Sequence, residues 1–573
     1  SANEASATGA MRTLSTGEVA EYAYDGRAGS NSVARVARVT DEAGTLELRY
    51  DPRGHVVERR RTVAWDTYVT GYHYDSMDRL FQVDYPDGFR AIYEYGQAGF
   101  ATRIVDGEGR PIVDRVAYDA TGRITDIRYG NGVTSRYAYD ARALLAATRT
   151  EGPAGQVLQD LGYTYDAVGN VIAIADDTFG RSQAFEYDEL SRLTRATGAY
   201  GGEIYRYDAL GNLLRRGNLL MAVDADQRQR VTCGIDLSLI SSPSNGILHN
   251  PHLATCAGIL TAPGNSHTPE ERAQVGVIRS RGFGKNPHVG QSFAVEYDAV
   301  GNVIGKNGQT FVYDAENHLI RINEPNGQLV EENVYDGNGF RVLQRLPGNR
   351  ETVFIDDQFE VSTSHASRHV RLGRMLVATL VVPRAQMDLI DHAGADPLTT
   401  CEAGFSPSGG GCGVTVVSPD TPASPLGPAL ALLLIAALAR VLPRLARRAG
   451  WAARPVLRAT REHPIRTGLA LLLVAALAVQ STWGQVAHGA EPPAPPVEKR
   501  FYYHADHVGS TNVVTDAGGD LVERREYRPF GEQYVRYGAE GGPRLHEISY
   551  NGHRFDEPSG TYDFRARHYD PVL

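Results

Sequence analysis

The chain has 573 residues, which is either several ordinary domains or one unusually large architecture. Its 58 basic and 68 acidic residues leave a formal net charge of −10, a balance that argues against nucleic acid as a partner. Four cysteines are too few to classify it by count alone.

From the N-terminus the chain is written in repeats. Thirteen Tyr-Asp dipeptides occur, eleven of them in the first 336 residues, at Tyr24, Tyr50, Tyr74, Tyr118, Tyr139, Tyr165, Tyr187, Tyr207, Tyr297, Tyr313 and Tyr335. Spacings of about 20 to 26 residues dominate, too short for a helix-turn-helix unit and right for one β-hairpin per repeat. The best-preserved copies begin Tyr165-Asp166-Ala167-Val168-Gly169, Tyr207-Asp208-Ala209-Leu210-Gly211 and Tyr297-Asp298-Ala299-Val300-Gly301. Each reads as a turn. The Asp carboxylate accepts from backbone N–H groups two or three residues on, the Gly takes φ > 0, and an aliphatic residue starts the returning strand. A second aromatic two residues before the Asp's Tyr, as in Tyr163/Tyr165 and Tyr205/Tyr207, puts both rings on one strand face. A residue that recurs once per repeat is a turn former or packing group, so these Asp and Tyr residues are read as structural, not catalytic. The expected fold is all-β, an antiparallel hairpin spiral with residues 1–218 and 291–382 as its two repeat regions.

Between Gly217 and Gln291 the Tyr-Asp pattern stops, and residues 219–290, rich in Pro, Ser, Asn and Gly, read as an insertion or small subdomain carrying Cys233 and Cys256. Residues 383–498 form a second insertion with Cys401 and Cys412. It contains two apolar runs, 426–442 and 468–483, each near the lower length limit for a spanning helix. Seven arginines lie between them against one Glu462, so the positive-inside rule predicts a transmembrane helical hairpin with residues 443–466 in the cytoplasm. Two buried amphipathic helices, or misplaced sorting and signal segments from a fusion of two reading frames, fit the same composition. On the membrane topology both cysteine pairs face an oxidising space and are candidate disulfides.

The closing segment, 499–573, carries three motifs: Tyr502-Tyr503-His504-Ala505-Asp506-His507-Val508-Gly509-Ser510, then Tyr527-Arg528-Pro529-Phe530-Gly531-Glu532, then Gly552-His553-Arg554-Phe555-Asp556 through Arg565, Arg567, Tyr569 and Asp570-Pro571. His504 and His507 flank Asp506, but i and i+3 on a strand point to opposite faces and no further ligand set lies nearby, so no metal site is assigned. No nucleophile elbow or phosphate-cradling glycine loop is present, and no catalytic or cofactor-binding residue is assigned.

Repeats and closing motifs together resemble the Rhs/YD-repeat family, whose distant animal relatives are the teneurins. The resemblance implies a hollow β-shell with an Rhs repeat-associated core, secreted or in the cell envelope, and a C-terminal effector as partner. It also implies that self-cleavage, where family members perform it, uses residues beyond Leu573. Ser1 at the start and repeats under way by Tyr24 give the expectation of a partial shell. The rival reading is a teneurin-like adhesion protein that binds a surface protein or glycan.

Overall fold

A computed structural model describes residues 9–13, 19–24, 31–64, 66–224, 230–237, 251–262, 266–281, 293–387, 498–538, 548–565 and 567–572. Strands take up more than half of these residues, and 35 of them join one antiparallel sheet. Each strand pairs with its neighbours in sequence, from Gly9 opposite Ala23 to Glu523 opposite Gly538. This is the all-β hairpin series expected from the repeat length.

The repeat turns have one geometry. Asp166 N–H donates to Asn170 O at 2.9 Å and Gly169 N–H to Asp166 O at 3.3 Å, and Gly169 sits at φ +98°. That is a three-residue loop in which a type I turn is followed by a left-handed residue. Gly211 (+90°) and Gly301 (+103°) repeat it. The Asp166 carboxylate takes Val168 N–H at 3.0 Å, Asn170 N–H at 2.8 Å and the Asn170 amide at 2.8 Å. Its backbone donors are thus two and four residues on; in some turns the third residue donates as well, as Gly54 does to Asp51 and Gly301 to Asp298 at 2.7 Å each. Burial works against the ionised Asp166, Asp208 and Asp298, but the hydrogen bonds from the following Asn and backbone outweigh it and hold these carboxyls below the usual range.

A Tyr at the end of many repeat strands ties one repeat to the one before. Tyr95, Tyr118, Tyr139 and Tyr165 donate their hydroxyls to the carbonyls of Leu80, Ala101, Ile124 and Leu145 at 2.6 to 2.9 Å. An arginine from the preceding turn lies over the ring in several repeats: Arg79 over Tyr95 at 4.5 Å, Arg123 over Tyr139 at 4.4 Å and Arg192 over Tyr207 at 4.9 Å.

The core forms where early strands face late ones. Val63 packs with Val342, Val83 and Tyr85 with Phe359 and Val361, and Ile104, Ile127 and Tyr129 with Val377, Tyr502 and Val513. Buried polar bonds fix the match: Tyr85 Oη donates to His369 O at 3.1 Å, Tyr129 Oη to Tyr503 O at 3.1 Å, and Arg61 pairs with Asp336.

One expectation needs correction. The sheet continues through Leu219–Val223 and Val231–Asp236 into the region read as an insertion from residue 219: these largely buried segments pair with each other although they lack Tyr-Asp turns. Two short helices, Pro251–Thr261 and Pro269–Arg281, follow these strands. Cys256 on the first helix is bonded to Cys233 on the strand, and Leu220, Ile235, Ala257, Leu260 and Val275 pack around them. Cys401, Cys412 and the runs 426–442 and 468–483 lie outside the described residues.

Candidate functional site

The strand Lys499–Ala505 pairs with Met375–Pro383 on one side and Thr511–Thr515 on the other. His504 is fully buried in it, its Nδ1 3.2 Å from Ser135 Oγ, its Nε2 3.1 Å from Thr515 Oγ1, and its ring edge-on to Tyr129. Burial pushes its pKa down to about 3, so it is a neutral hydrogen-bonding wedge at physiological pH. The adjacent Tyr503 is also buried, its pKa raised by burial.

Asp506 opens another repeat-type turn. Its N–H donates to Ser510 O at 3.0 Å, Gly509 (φ +84°) donates back at 3.2 Å, and its carboxylate takes Val508 and Ser510 N–H at 3.0 and 2.8 Å. Here burial outweighs the His507 charge and these donors, and the Asp506 carboxyl is held above its usual range. His507 stacks obliquely on Tyr163 at 4.7 Å, away from His504. Among the described residues no group of three or more His, Cys, Asp or Glu is arranged to hold a metal.

Ser510 Oγ accepts Asn551 N–H at 3.0 Å, tying this turn to the segment after it. Arg525 grips Glu523 with two bonds of 2.9 and 3.1 Å and donates to Ile548 O at 2.8 Å. Tyr527 Oη donates to Thr511 O at 2.9 Å and lies 2.8 Å from Ser549 Oγ.

The last residues form a separate three-stranded sheet, Arg554–Asp556, Thr561–Asp563 and His568–Tyr569. Tyr562 and Tyr569 donate their hydroxyls to Gly531 O and Phe530 O at 2.8 Å each. Arg565, at φ +67°, pairs with Asp357, while Arg567 is exposed and its carbonyl accepts Phe564 N–H at 3.0 Å. Asp570 pairs with Lys306, Arg216 donates to Pro571 O, and Val572 packs on Leu219, Met221, Phe293 and Val295.

Where this small sheet meets the large one, Arg341 is buried among three carboxylates: Asp556 at 2.7 and 3.1 Å, Asp563 at 3.0 Å and Glu331 at 3.5 Å. Glu331 Oε1 accepts from Asn333 at 2.9 Å and Gln344 at 3.1 Å, whereas Oε2 is buried without a partner. Burial first, then the Asp556 charge, pushes the Glu331 carboxyl up to about 7 against the pull of Arg341, Asn333 and Gln344. His568 sits 3.1 Å from Thr561 Oγ1 and 3.3 Å from Tyr335 Oη, and burial lowers its pKa. Sequence reasoning placed Arg565, Arg567, Tyr569 and Asp570 in this motif but missed Arg341 and Glu331. The signal was available: Glu331, Asn333 and Tyr335 alternate along one face of a strand, which lines up polar groups where apolar ones are expected.

The profile described as Teneurin YD-shell matches residues 113–228. The chain is 34% identical over 165 residues to Toxin subunit YenC1 of Yersinia entomophaga, covering 21% of this chain and 17% of that one. It is 28% identical over 191 residues to Double-stranded DNA deaminase toxin A of Burkholderia cenocepacia, covering 33% of this chain and 12% of that one. It thus spans under a fifth of these relatives. Among solved structures, TcdB2-TccC3-TEV superimposes with a TM-score of 0.61 at 16% identity, over 98% of this chain and 25% of that one. That likeness concerns the fold.

Proposed function

We propose that this chain, an Rhs/YD-repeat shell protein, is the non-enzymatic wall around an effector segment that follows its closing sheet. What supports the reading is the path of the last residues. Asp570 is paired with Lys306, the Pro571 carbonyl is taken by Arg216, and Val572 is packed on the buried row Leu219, Met221, Phe293 and Val295. A segment continuing from Leu573 would therefore start from the packed side of the sheet. The relatives named for an activity fit this: the deaminase toxin and a Bacillus subtilis tRNA nuclease, WapA, are matched over only 12% and 6% of their length. In this reading any chemistry belongs to another part of such proteins.

A folded reporter enzyme fused after Leu573 tests it. Enclosure predicts that protease removes the fused reporter at least about tenfold more slowly than the free one, since cleavage then needs the wall to open. Digestion at the free rate would overturn the proposal.

A teneurin-like recognition role is the second reading, and one observation favours it. Val168, Leu190, Leu210 and Val300, 64 to 77% exposed, stand at the tips of four repeat turns and offer aliphatic side chains to a surface protein or glycan. Residues 426–483 would then tether the protein to the envelope.

A further inference from the structure

The three-stranded C-terminal sheet shares no main-chain ladder with the large sheet among the described residues; side chains dock it. One of these buried contacts is the Arg341 cluster. We propose that Glu331 makes this junction a proton-dependent clamp, which tightens as pH falls and loosens as pH rises. The inference concerns the docking itself and holds whether or not an effector follows.

The argument starts from charge. One guanidinium faces Asp556 on the first small strand, Asp563 on the second and Glu331 beside it on the large sheet. Arg341 already makes its short contacts to the two aspartates, leaving Glu331 the longest, at 3.5 Å. An ionised Glu331 would be a third negative charge in a dry site, with one oxygen unpaired. A protonated Glu331 removes the third charge and leaves only a neutral unpaired oxygen, a smaller cost. Undocking takes Asp556 and Asp563 away and admits water, returning Glu331 to an ordinary carboxyl. The docked form thus holds one more proton between the ordinary value of 4.5 and about 7. Docking loses strength across that window as pH rises and is flat above it.

The remaining groups fix the sign elsewhere. Arg341 stays charged, held above its usual value chiefly by Asp556 and Asp563 against burial. Tyr335 is raised by burial and stays neutral. Glu332 turns to the opposite face, where Arg321 and Arg345 take it. His568 opposes Glu331: burial lowers its pKa, so just below its ordinary value of 6.5 the undocked form holds the extra proton. Asp563 opposes it only near the bottom of the acid range, because Arg341 and His568 outweigh burial and lower its pKa from 3.8.

Hydrogen-exchange protection factors of residues 554–569, with residues 124–165 as internal reference, read the clamp directly. Protection in the unaltered protein should fall by roughly tenfold or more from pH 5 to pH 7.5 while the reference stays level. Glu331→Gln, isosteric with the protonated acid, should abolish the fall between pH 6.5 and 7.5 and exceed the unaltered protein at pH 7.5. Asp563→Asn, which removes one repelling carboxylate, should move the fall to lower pH and guards against Glu331→Gln failing to fold. Level protection in the unaltered protein, or an undiminished fall in Glu331→Gln, overturns the proposal.

Discussion

At the residue scale the turn decides more than the side chain that fills it. Ala143, Ser191 and Asn317 occupy the place of Gly169 in their own repeats and are held at φ +68°, +58° and +66°. A left-handed residue with a Cβ costs roughly 1 kcal/mol, partly offset by the extra freedom Gly brings to the unfolded chain. Ala143→Gly and Ser191→Gly should therefore raise the melting temperature slightly. Gly169→Val and Gly211→Val should each cost on the order of 1 kcal/mol or more through backbone strain, since a Cβ built there meets nothing within 4 Å. Thermal melts of the four variants check both signs. The turns were legible because Asp, Gly and spacing each carry a local reason. The roles of Tyr and Arg were not: a hydroxyl bonded to the preceding repeat, or a guanidinium over the next ring, joins residues about 15 to 20 positions apart and leaves no mark in either repeat.

At the element scale, hairpins without Tyr-Asp turns were the ones missed. Leu219–Val223 is buried at four of its five positions, so it presents no alternation to read. The helices after it were hidden by a loop-like composition and are held to the sheet by one small apolar cluster, the Cys233–Cys256 bond, the pairs of Glu271 with Arg206 and Arg215, and His267 on Met221 O. That bond closes a loop with a sequence separation of 23, for which chain entropy gives about 3 kcal/mol. Reduction, or Cys256→Ser, should therefore melt Pro251–Thr261 and Pro269–Arg281 at lower temperature than the repeats. Circular dichroism at a helix band against tyrosine fluorescence separates the two transitions; a single unchanged melt under reductant would mean the non-covalent contacts alone suffice.

At the scale of the whole molecule, stability comes from contacts between residues far apart in sequence, and the chain between them matters mainly as a tether. Met375–Pro383 and Lys499–Ala505 are adjacent antiparallel strands with Val381 opposite Lys499, although more than a hundred residues separate them. Loop-closure entropy grows only slowly with length, so this connection can be long or short at little cost to the fold. Replacing residues 388–496 with a short Gly-Ser linker should therefore leave the melting temperature of the sheet within a few degrees of the intact chain. The same pair of proteins tests the membrane hairpin: if 426–442 and 468–483 span a bilayer, the intact chain sediments with membranes and the shortened one does not. Co-fractionation of both with the soluble pool would discard the hairpin. Loss of the sheet in the shortened protein would mean that the inserted segment, and not the facing strands alone, completes the core.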